Sequence, residues 1–370
     1  SSIAKLSAFS SRNLANTLWS YARLAVDDDK LFEAIASQAI ATMNEFSSRG
    51  LSNMAWACAK LMYTNQPLID AIAAASRTRI TEFAETALAG TLWACATMSF
   101  RDQQLLAALS SEAITKISQF GPHALSNTAW ACSALQCSNS PLIDAISAAA
   151  IPTITALDEE AFTRFRETEG TERPVNIHGL LHGLSAFPGQ LESGVYAAAE
   201  AAVLRRAELM DGPYAWPLLA EPVSSQSGLR PEEEPSILLE QANVCAILKP
   251  PGWAVSIAGG LKDEVLGAAQ PMQEWVASAL GQSYPIAMDA DADYGILHRL
   301  DRGTSGALLC AKTYRGYHLA LLQFAAGRTK KDYVCLCLGA APAAPRDMQA
   351  PLLVVGTGAD RRSVVDPRGN

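Results

Sequence analysis

The sequence has few charged residues, few aromatic residues and no closely paired cysteines of the kind that bind zinc. Charged side chains make up 18% and aromatic ones 7% of the 370 residues, whereas hydrophobic residues make up 49%. The chain can therefore bury a sizeable core, and this composition is not that of a disordered protein. None of its eight cysteines forms a CxxC pair. A zinc ribbon or a thioredoxin-like motif is therefore not expected, and a reducing compartment is the default.

The sequence also lacks a long hydrophobic run. The longest uncharged stretch, residues 117–143, contains Gly, Pro, His, Asn and Ser. It falls short of the roughly 20 mainly apolar residues that a membrane-spanning helix needs, so no membrane contact is expected. The chain begins with Ser and ends in loop-like sequence. We expect a fragment at both ends, in which the absence of a targeting segment carries little information.

Net charge is −8, but it is unevenly distributed along the chain. Residues 151–250 carry seven basic and 15 acidic groups, whereas residues 1–150 carry ten and 11. Residues 301–370 carry ten basic and five acidic groups. Because local field rather than total charge guides an encounter, both ends of the chain can still meet a polyanion.

The strongest pattern is an internal repeat of 37 residues in the first half. Four copies keep the same phase at several positions, as the tryptophans show: Trp19, Trp56, Trp93 and Trp130. Each copy contains two segments with apolar residues at three- and four-residue steps, and turn residues lie between them. Stacked helix pairs of this kind form an α-solenoid, predicted here over residues 1–156. Residues 176–187 resemble a degenerate fifth copy.

The FxxxxLxNxxWAxAxL pattern resembles heptatricopeptide and octotricopeptide-like helical repeats. That resemblance implies binding of organellar RNA, and hence a mitochondrion or plastid, with the cytoplasm as the alternative. Periodic Trp, Leu and Cys residues are expected to form core layers. The repeated Asn16, Asn53 and Asn127, with Gly90 in the third copy, are expected to be structural, although they could face a ligand. The array could equally hold a protein partner, and a basic stripe along its concave face would favour RNA.

Residues 157–236 are predicted to be an acidic connector. The stretches 158–174 and 211–236 are rich in Glu, Pro, Gly and Ser, which is typical of solvated loops. Between them, residues 191–210 have helical spacing.

A different pattern begins at residue 237. Short apolar runs with Pro-Pro-Gly punctuation predict strand, strand, turn and strand up to residue 257. A buried strand is predicted over 306–312 and a helix over 313–327 that ends at Gly327. Further strands are predicted over 332–339 and 351–357.

The loop LHRLDRGTSG (297–306) carries the candidate chemistry. Arg299 and Arg302 flank Asp301, and two cations beside a carboxylate keep it ionised. The following Gly and hydroxyl residues allow close backbone approach to a ligand, and the cations suit a phosphate-bearing substrate. A salt-bridged surface turn would explain the same residues equally well.

HRLDRGTSG resembles the signature of the RluA-type pseudouridine synthases. Two further blocks, LKPPGWAVS (248–256) and KKDYVCLCLG (330–339), resemble the KPxGxxV and KxYxxxxxG segments of that family, in the family's order. The resemblance implies a multidomain protein. An all-α helical-repeat solenoid precedes a C-terminal α+β pseudouridine synthase domain over residues 237–370, with a mixed, mainly antiparallel sheet.

The same resemblance assigns roles to residues. Asp301 matches the catalytic aspartate, which attacks the sugar, attacks the base or takes a ribose proton; each role needs an ionised carboxylate. Tyr333 matches the tyrosine that stacks on uracil, and Arg299 the arginine that fills the gap left by the extruded base. Thr304 shapes the loop and Lys249 supports the fold. His298 is expected to be a packed or solvent-facing group rather than a general base.

The resemblance also implies the partners. We expect contact with RNA (ribosomal RNA, transfer RNA or an organellar transcript) from Arg299, Arg302, Thr304, Lys330 and Lys331. The reaction is an isomerisation, so neither a cofactor nor a metal is implied. The rival hypotheses are a catalytically inactive RNA-binding repeat protein and a protein-interaction scaffold.

One departure from the family pattern falls at the end of the chain. Family members continue with a segment resembling TGRxHQIRxH, which supplies a strand and a basic residue that faces the aspartate. This sequence stops at Asn370, so we expect an incomplete catalytic sheet. A shortened chain, an incomplete gene model and an inactive domain are all consistent with it.

Overall fold

A computed structural model describes residues 6, 8–26, 28–137, 140–156, 177–212, 234–255, 271–334, 352–355 and 362–365. The chain forms two compact units. One comprises residues 1–202 together with 325–327, and the other comprises the remainder. None of the helices in the described ranges is long and apolar enough to cross a membrane.

The first unit is the predicted array of helix pairs. In each copy we call the first helix the A helix and the second the B helix. The A helices are α1 (Ser11–Leu24), α3 (Ser48–Leu61), α5 (Glu85–Thr97) and α7 (Pro122–Ala134). The B helices are α2 (Asp29–Ala41), α4 (Gln66–Thr78), α6 (Gln103–Thr115) and α8 (Ser140–Thr155). Both helices of all four copies are therefore confirmed.

Local sequence sets the helix ends. Ser10 and Ser47 cap α1 and α3 by accepting a hydrogen bond from a backbone N–H three residues ahead, and Asn65 does the same for α4. Each A helix is followed, one or two residues after its end, by a residue with positive φ; these residues are 37 apart and none is glycine: Ala25, Met62, Ser99 and Gln136. This recurrence shows that the repeat extends to the backbone of its turns.

Neighbouring copies are joined by recurring hydrogen bonds from an A helix to the backbone of the turn that precedes the next A helix. The Ser11 hydroxyl donates to the Glu45 carbonyl at 3.0 Å, and Ser48 makes the same bond to Glu82 at 3.1 Å. Successive A helices approach one another more closely than successive B helices. Closer spacing of one helix layer is what the inner side of a curved solenoid requires.

The interior of the array contains the periodic leucines and cysteines, as the repeat pattern predicts. Leu14, Leu51, Leu88 and Leu125 are fully buried. Burial raises the pKa of the thiols of Cys58, Cys95 and Cys132 to about 12, so these cysteines are inert packing residues.

The tryptophans correct one prediction, since they are not core residues. Trp19 is 38% exposed, and Trp56, Trp93 and Trp130 are half-buried. Alanines are fully buried at the position that follows the tryptophan in the last three copies: Ala57, Ala94 and Ala131. The indoles are displaced to the surface of the A-helix layer, where they stack on one another.

The degenerate fifth copy is confirmed by α9 (Ile177–Ser185). This helix packs against α7 as successive A helices pack against each other. A Cβ at Gly183 would lie 2.6 Å from the backbone of Ala129 and Trp130, so only glycine allows this approach. The helix predicted over 191–210 is α10 (Val195–Asp211). Most of the predicted connector loops, residues 157–176 and 213–233, lie outside the described residues.

The second unit contains a three-stranded antiparallel sheet in the order β1 (Ser236–Glu240), β2 (Val244–Lys249) and β3 (Gly306–Ala311). Helices α11 (Met272–Leu280) and α12 (Tyr314–Ala325) belong to the same unit. A separate antiparallel pair consists of β4 (Leu352–Val355) and β5 (Arg362–Val365). The predicted strands at 306–312 and 351–357 and the helix at 313–327 are thereby confirmed.

A compact apolar core holds this unit together. Ile247 of β2, Leu308 of β3 and Val276 of α11 are fully buried in it, and Tyr317, Leu321 and Phe324 of α12 pack against it as predicted. The strand predicted over 332–339 is wrong for residues 332–334, which are irregular; its remaining residues lie outside the described ranges. Of the strand predicted after the Pro-Pro-Gly turn, only an isolated parallel bridge from Ala254 to Pro271 is present among the described residues.

Candidate active site and nucleic-acid interface

The HRLDRGTSG segment leads into β3 and is fixed at its start. Leu297 donates its N–H to the Leu309 carbonyl at 3.1 Å, and Ile296 forms an isolated bridge with Cys310. Leu297 and Leu300 are buried, whereas Arg299 and Asp301 are exposed. Alternation of this kind anchors the loop through its leucines and presents the charged side chains to solvent.

His298 lies in this anchoring layer. Its Nε2 accepts the Leu309 N–H at 3.1 Å, and its ring packs 5.6 Å from the Phe324 ring. Burial, followed by the nearby Lys331 charge, lowers the pKa of His298. The neutral His298 ring uses its Nε2 as an acceptor and thereby helps to hold the loop against β3. This agrees with the packed role predicted from the sequence.

The deeper anchor of the loop is Lys249, at the end of β2. This side chain is 0% exposed, and its Nζ donates to the carbonyls of Pro250 and Trp253 at 3.0 Å and of Arg302 at 3.3 Å. Burial lowers the pKa of Lys249, and the negative charge of Asp301 opposes that shift. Lys249 therefore joins the KPPGW turn to the HRLDRGTSG loop and places a positive charge close enough to interact with Asp301.

A second link between the same two segments comes from Arg302. Gly252 donates its N–H to the Arg302 carbonyl at 2.8 Å, and Arg302 Nε donates to the Gly252 carbonyl at 3.2 Å. Gly252 has φ of +92°, which a residue with a Cβ rarely adopts. Arg302 thus uses its Nε to fix the loop. The exposed Asp301 is held in a turn in which its carbonyl accepts the half-buried Thr304 N–H at 3.0 Å.

The remaining predicted site residues lie in the irregular segment after α12. Lys330 and Lys331 are exposed; Lys330 pairs with Asp332 at 3.2 Å, and Lys331 Nζ lies 5.1 Å from the Phe324 ring centroid. Tyr333 is 63% exposed. Because Phe324 contacts both the His298 ring and Lys331, this segment and the HRLDRGTSG loop share a boundary, to which Lys331 contributes a cation.

Sequence reasoning missed two features of the candidate sites. The sequence indicated that Lys249 supports the fold, but its three carbonyl partners include one 53 residues away, which no local pattern reveals. The exposure of the tryptophans was also missed. The described residues contain no cluster of three or more His, Cys, Asp or Glu side chains able to hold a metal ion.

Two family models match this chain, at its two ends. Residues 243–355 match the model described as RNA pseudouridylate synthase, and residues 2–159 match that of the RNA-editing substrate-binding complex 6 protein. A curated relative, RNA pseudouridine synthase 1 of Arabidopsis thaliana, is 30% identical over 82 residues. These residues are 22% of this chain and 26% of the relative, so the chain spans about a quarter of that relative.

The carboxyl-terminal match confirms the resemblance of that part of the chain to pseudouridine synthases. The carboxyl-terminal part of the chain carries a pseudouridine synthase domain, with the Lys249 anchor and the Asp301 loop inside the matched range. The amino-terminal match covers the helical repeats.

Proposed function

We propose that this protein is an RNA pseudouridine synthase of the RluA type, which isomerises uridine to pseudouridine in RNA and uses its helical repeats as an RNA-binding arm. The observation that carries this proposal is the Asp301 loop. Asp301 is exposed, and hydrogen bonds made by Lys249 and Arg302 hold its loop in place. The loop lies within the range that matches the synthase family.

Asp301 is the proposed catalytic residue. The reaction breaks the glycosidic bond of uridine, turns the base and forms a carbon–carbon bond to the same ribose, so substrate and product have the same atoms. Attack on the sugar, attack on the base and removal of a ribose proton each require an ionised carboxylate within reach of the nucleoside. The exposure of Asp301 leaves its carboxylate accessible to substrate.

Arg299 and Tyr333 are proposed to contact the nucleoside and the RNA around it. Arg299 is exposed two residues before Asp301, where it can enter the space left by an extruded base. Tyr333 presents an exposed ring able to stack on uracil. Lys331 offers its charge to a phosphate, whereas Lys330 is partly neutralised by Asp332. Arg302 and Thr304 shape the loop.

The helical arm is proposed to hold the RNA substrate. Its family match is named for RNA-editing substrate binding, and the relative of the other end is named an RNA pseudouridine synthase. Ribosomal RNA, transfer RNA or an organellar transcript would each supply uridines, and the repeat resemblance favours a mitochondrion or plastid.

The test is a pseudouridine assay on uridine-containing RNA with full-length protein and its Asp301→Asn variant. We expect the variant to lose product formation by at least about 100-fold, because it cannot supply a carboxylate. Its RNA affinity should stay nearly unchanged, because phosphate contacts supply most of the affinity. Glu274→Gln makes the same carboxylate-to-amide change at an exposed helix position and should retain full activity.

Two outcomes would contradict the proposal. An Asp301→Asn protein that still forms pseudouridine would remove Asp301 from the mechanism. Bound RNA without product from the unaltered full-length protein would favour the rival hypothesis of an RNA-binding repeat protein that does not turn over.

A further inference from the structure

Four rows of side chains lie on the surface of the A helices at spacings of four, three and four residues. They therefore share one face of each helix, and we call them together the A-helix stripe. The rows are Arg12, Arg49, Thr86 and His123; Asn16, Asn53, Gly90 and Asn127; Trp19, Trp56, Trp93 and Trp130; and Arg23, Lys60, Thr97 and Ala134. All of these residues are exposed or half-buried.

The tryptophan row is a continuous ladder. The ring centroids of successive indoles are 6.2, 6.3 and 6.4 Å apart, with interplanar angles of 30–39°. A large aromatic ring that recurs once per repeat without being buried is not needed to fill the core. Exposed indole surface at regular intervals is a platform on which the flat rings of unpaired nucleobases can stack.

Positive charge on the stripe is concentrated in the first two copies. Arg12, Arg23, Arg49 and Lys60 lie there, whereas the equivalent positions of the third and fourth copies are uncharged apart from His123. Among the described residues, Arg12, Arg49 and Lys60 form no ion pair, and the Arg23 guanidinium lies 5.5 Å from the Trp19 ring centroid. Glu45 and Glu85 are the acidic residues that line the stripe's recesses. The first two copies therefore present four positive charges along the stripe, although residues 9–82 as a whole contain seven basic and seven acidic residues.

Two recesses lie along the stripe and share Asn53. The first has a volume of about 480 Å³ and contains Arg12, Asn16 and Arg49 in its lining. The second, of about 360 Å³, extends from Trp19 to Asn127 over Gly90. Gly90 interrupts the asparagine row, so the second recess has room between the amides of Asn53 and Asn127, and His123 lies at its rim, 3.1 Å from Asn127 Nδ2.

We propose that the A-helix stripe binds single-stranded RNA, with phosphates on the basic rows of the first two copies and a nucleobase in the recess over Gly90. This inference rests on the proposed function. It adds which face of the A helices binds RNA, that the RNA is single-stranded, and where its phosphates and a nucleobase bind. Exposed indoles and asparagine amides match the faces and edges of unpaired bases, which a duplex hides. The concentration of positive charge in the first two copies favours a polyanion over an uncharged protein surface.

The first experiment measures binding of the full chain to a labelled single-stranded RNA of mixed sequence at several salt concentrations. The double variant Arg12→Gln/Arg49→Gln should weaken binding and reduce the slope of log K against log salt by about 1.4, since each phosphate contact on a single strand contributes about 0.7. The matched control Lys30→Gln/Arg101→Gln removes two exposed cations outside the stripe and should leave the slope unchanged. Equal slopes for the two double variants would overturn the proposal, as would tighter binding of an RNA duplex.

The second experiment tests the base recess with homopolymeric single-stranded RNAs. Gly90→Asn restores the residue of the other copies and should change the order of base preference without changing the salt slope. A Cβ at residue 90 would lie 3.2 Å from Ser52 Oγ, so circular dichroism must first show the variant to be folded. Asn127→Ala removes an amide without adding atoms, and it should change the same preference. An unchanged base preference in both variants would refute the proposal that a nucleobase binds in the recess over Gly90.

Failure of this inference and failure of the proposed function give different results. If the enzyme forms pseudouridine and the stripe variants bind and react as the unaltered protein does, only the stripe is refuted. If the stripe variants lose RNA affinity but the unaltered protein forms no product, RNA binding by the stripe is supported and the proposed enzymatic activity is refuted. A chain that binds no RNA in any form overturns the inference and favours a protein partner for the repeats.

Discussion

Lys249 shows how a single residue determines the geometry of the candidate site. Burial of an ammonium group is costly unless all its donors find partners, and here three carbonyls accept from the three available hydrogens. Two of those carbonyls belong to the turn after β2, and the third belongs to the residue after Asp301. The exposed carboxylate is therefore positioned by a residue that never meets solvent.

Replacing Lys249 with Met should damage both stability and turnover. The apolar side chain fills similar space but removes the three hydrogen bonds of the ammonium group, while the Arg302 carbonyl keeps its bond from the Gly252 N–H, so we expect a loss of about 1–3 kcal/mol in the free energy of unfolding. Urea denaturation measures this loss. Lys330→Met, at an exposed position with a surface ion pair, should change stability by less than about 0.5 kcal/mol. Equal effects of the two changes would rule out the anchoring role.

His298 leads to a prediction about pH. Its pKa in the folded protein is lowered below the ordinary value of 6.5, chiefly by burial, whereas in the unfolded chain it returns to that value. Between the two pKa values the unfolded state binds more protons, so the contribution of His298 to stability is fully present above pH 6.5 and declines as pH falls below it.

The His298→Gln variant tests this sign. Its unfolding free energy should fall less steeply with decreasing pH below 6.5 than that of the unaltered protein. His178, whose pKa is also lowered by burial, is retained in both proteins and so does not affect the difference. Parallel pH profiles would show that His298 titrates alike in the folded and unfolded states.

At the scale of elements, the fit of α9 on α7 ends the regular repeat. The helix takes the place of a fifth A helix, but its close approach depends on Gly183, where a Cβ would overlap the α7 backbone. In the last three copies the alanine that follows each tryptophan is likewise fully buried, whereas the indole lies at the surface. Helix packing at this distance selects residues by size rather than by hydrophobicity alone.

Gly183→Ala should therefore destabilise the array. Overpacking of this kind costs about 1–3 kcal/mol, measurable as a lower denaturation midpoint for the helical signal in circular dichroism. Gly121→Ala is the matched control, because a Cβ there meets nothing within 4 Å and Ala84 occupies the same position in the third copy. If the control destabilises the protein as strongly as Gly183→Ala, steric overlap on α7 is not the cause.

At the scale of the whole molecule, charge and stability are both local. The net charge of −8 coexists with four basic residues on the stripe of the first two copies, so RNA affinity depends on where charge is placed rather than on its sum. In an array whose copies contact only their neighbours, stability is approximately a sum of copy and interface contributions. A substitution in an interior copy can therefore weaken two interfaces, whereas a substitution in a terminal copy can weaken only one.

This one-dimensional character can be tested with two equivalent leucines. Leu88 and Leu14 occupy the same repeat position and are both fully buried, and each Leu→Ala change removes about 2–5 kcal/mol locally. In a protein made of residues 1–370 alone, we expect Leu88→Ala to shift the denaturation midpoint of the whole array, whereas Leu14→Ala should let the first copy fray and lower the m value. Identical denaturation curves for the two variants would indicate a single cooperative unit.

The sequence by itself determined the elements and the order of the two parts. The 37-residue period, the apolar residues at three- and four-residue steps and the three synthase-like blocks are local patterns, and local patterns are what helix and turn formation depend on. They predicted both helices of every copy, the β3–α12 succession and the position of the Asp301 loop.

Only the tertiary structure decided which side chains face solvent and which hold the site together. The helical period places Trp56 and Leu51 on apolar stretches of one helix, but only the approach of the neighbouring A helix buries the leucine and leaves the indole half-exposed. Lys249 reaches a carbonyl 53 residues away, and His298 accepts from a strand 11 residues away. Such contacts depend on how elements pack, and packing joins residues that no pattern along the chain connects.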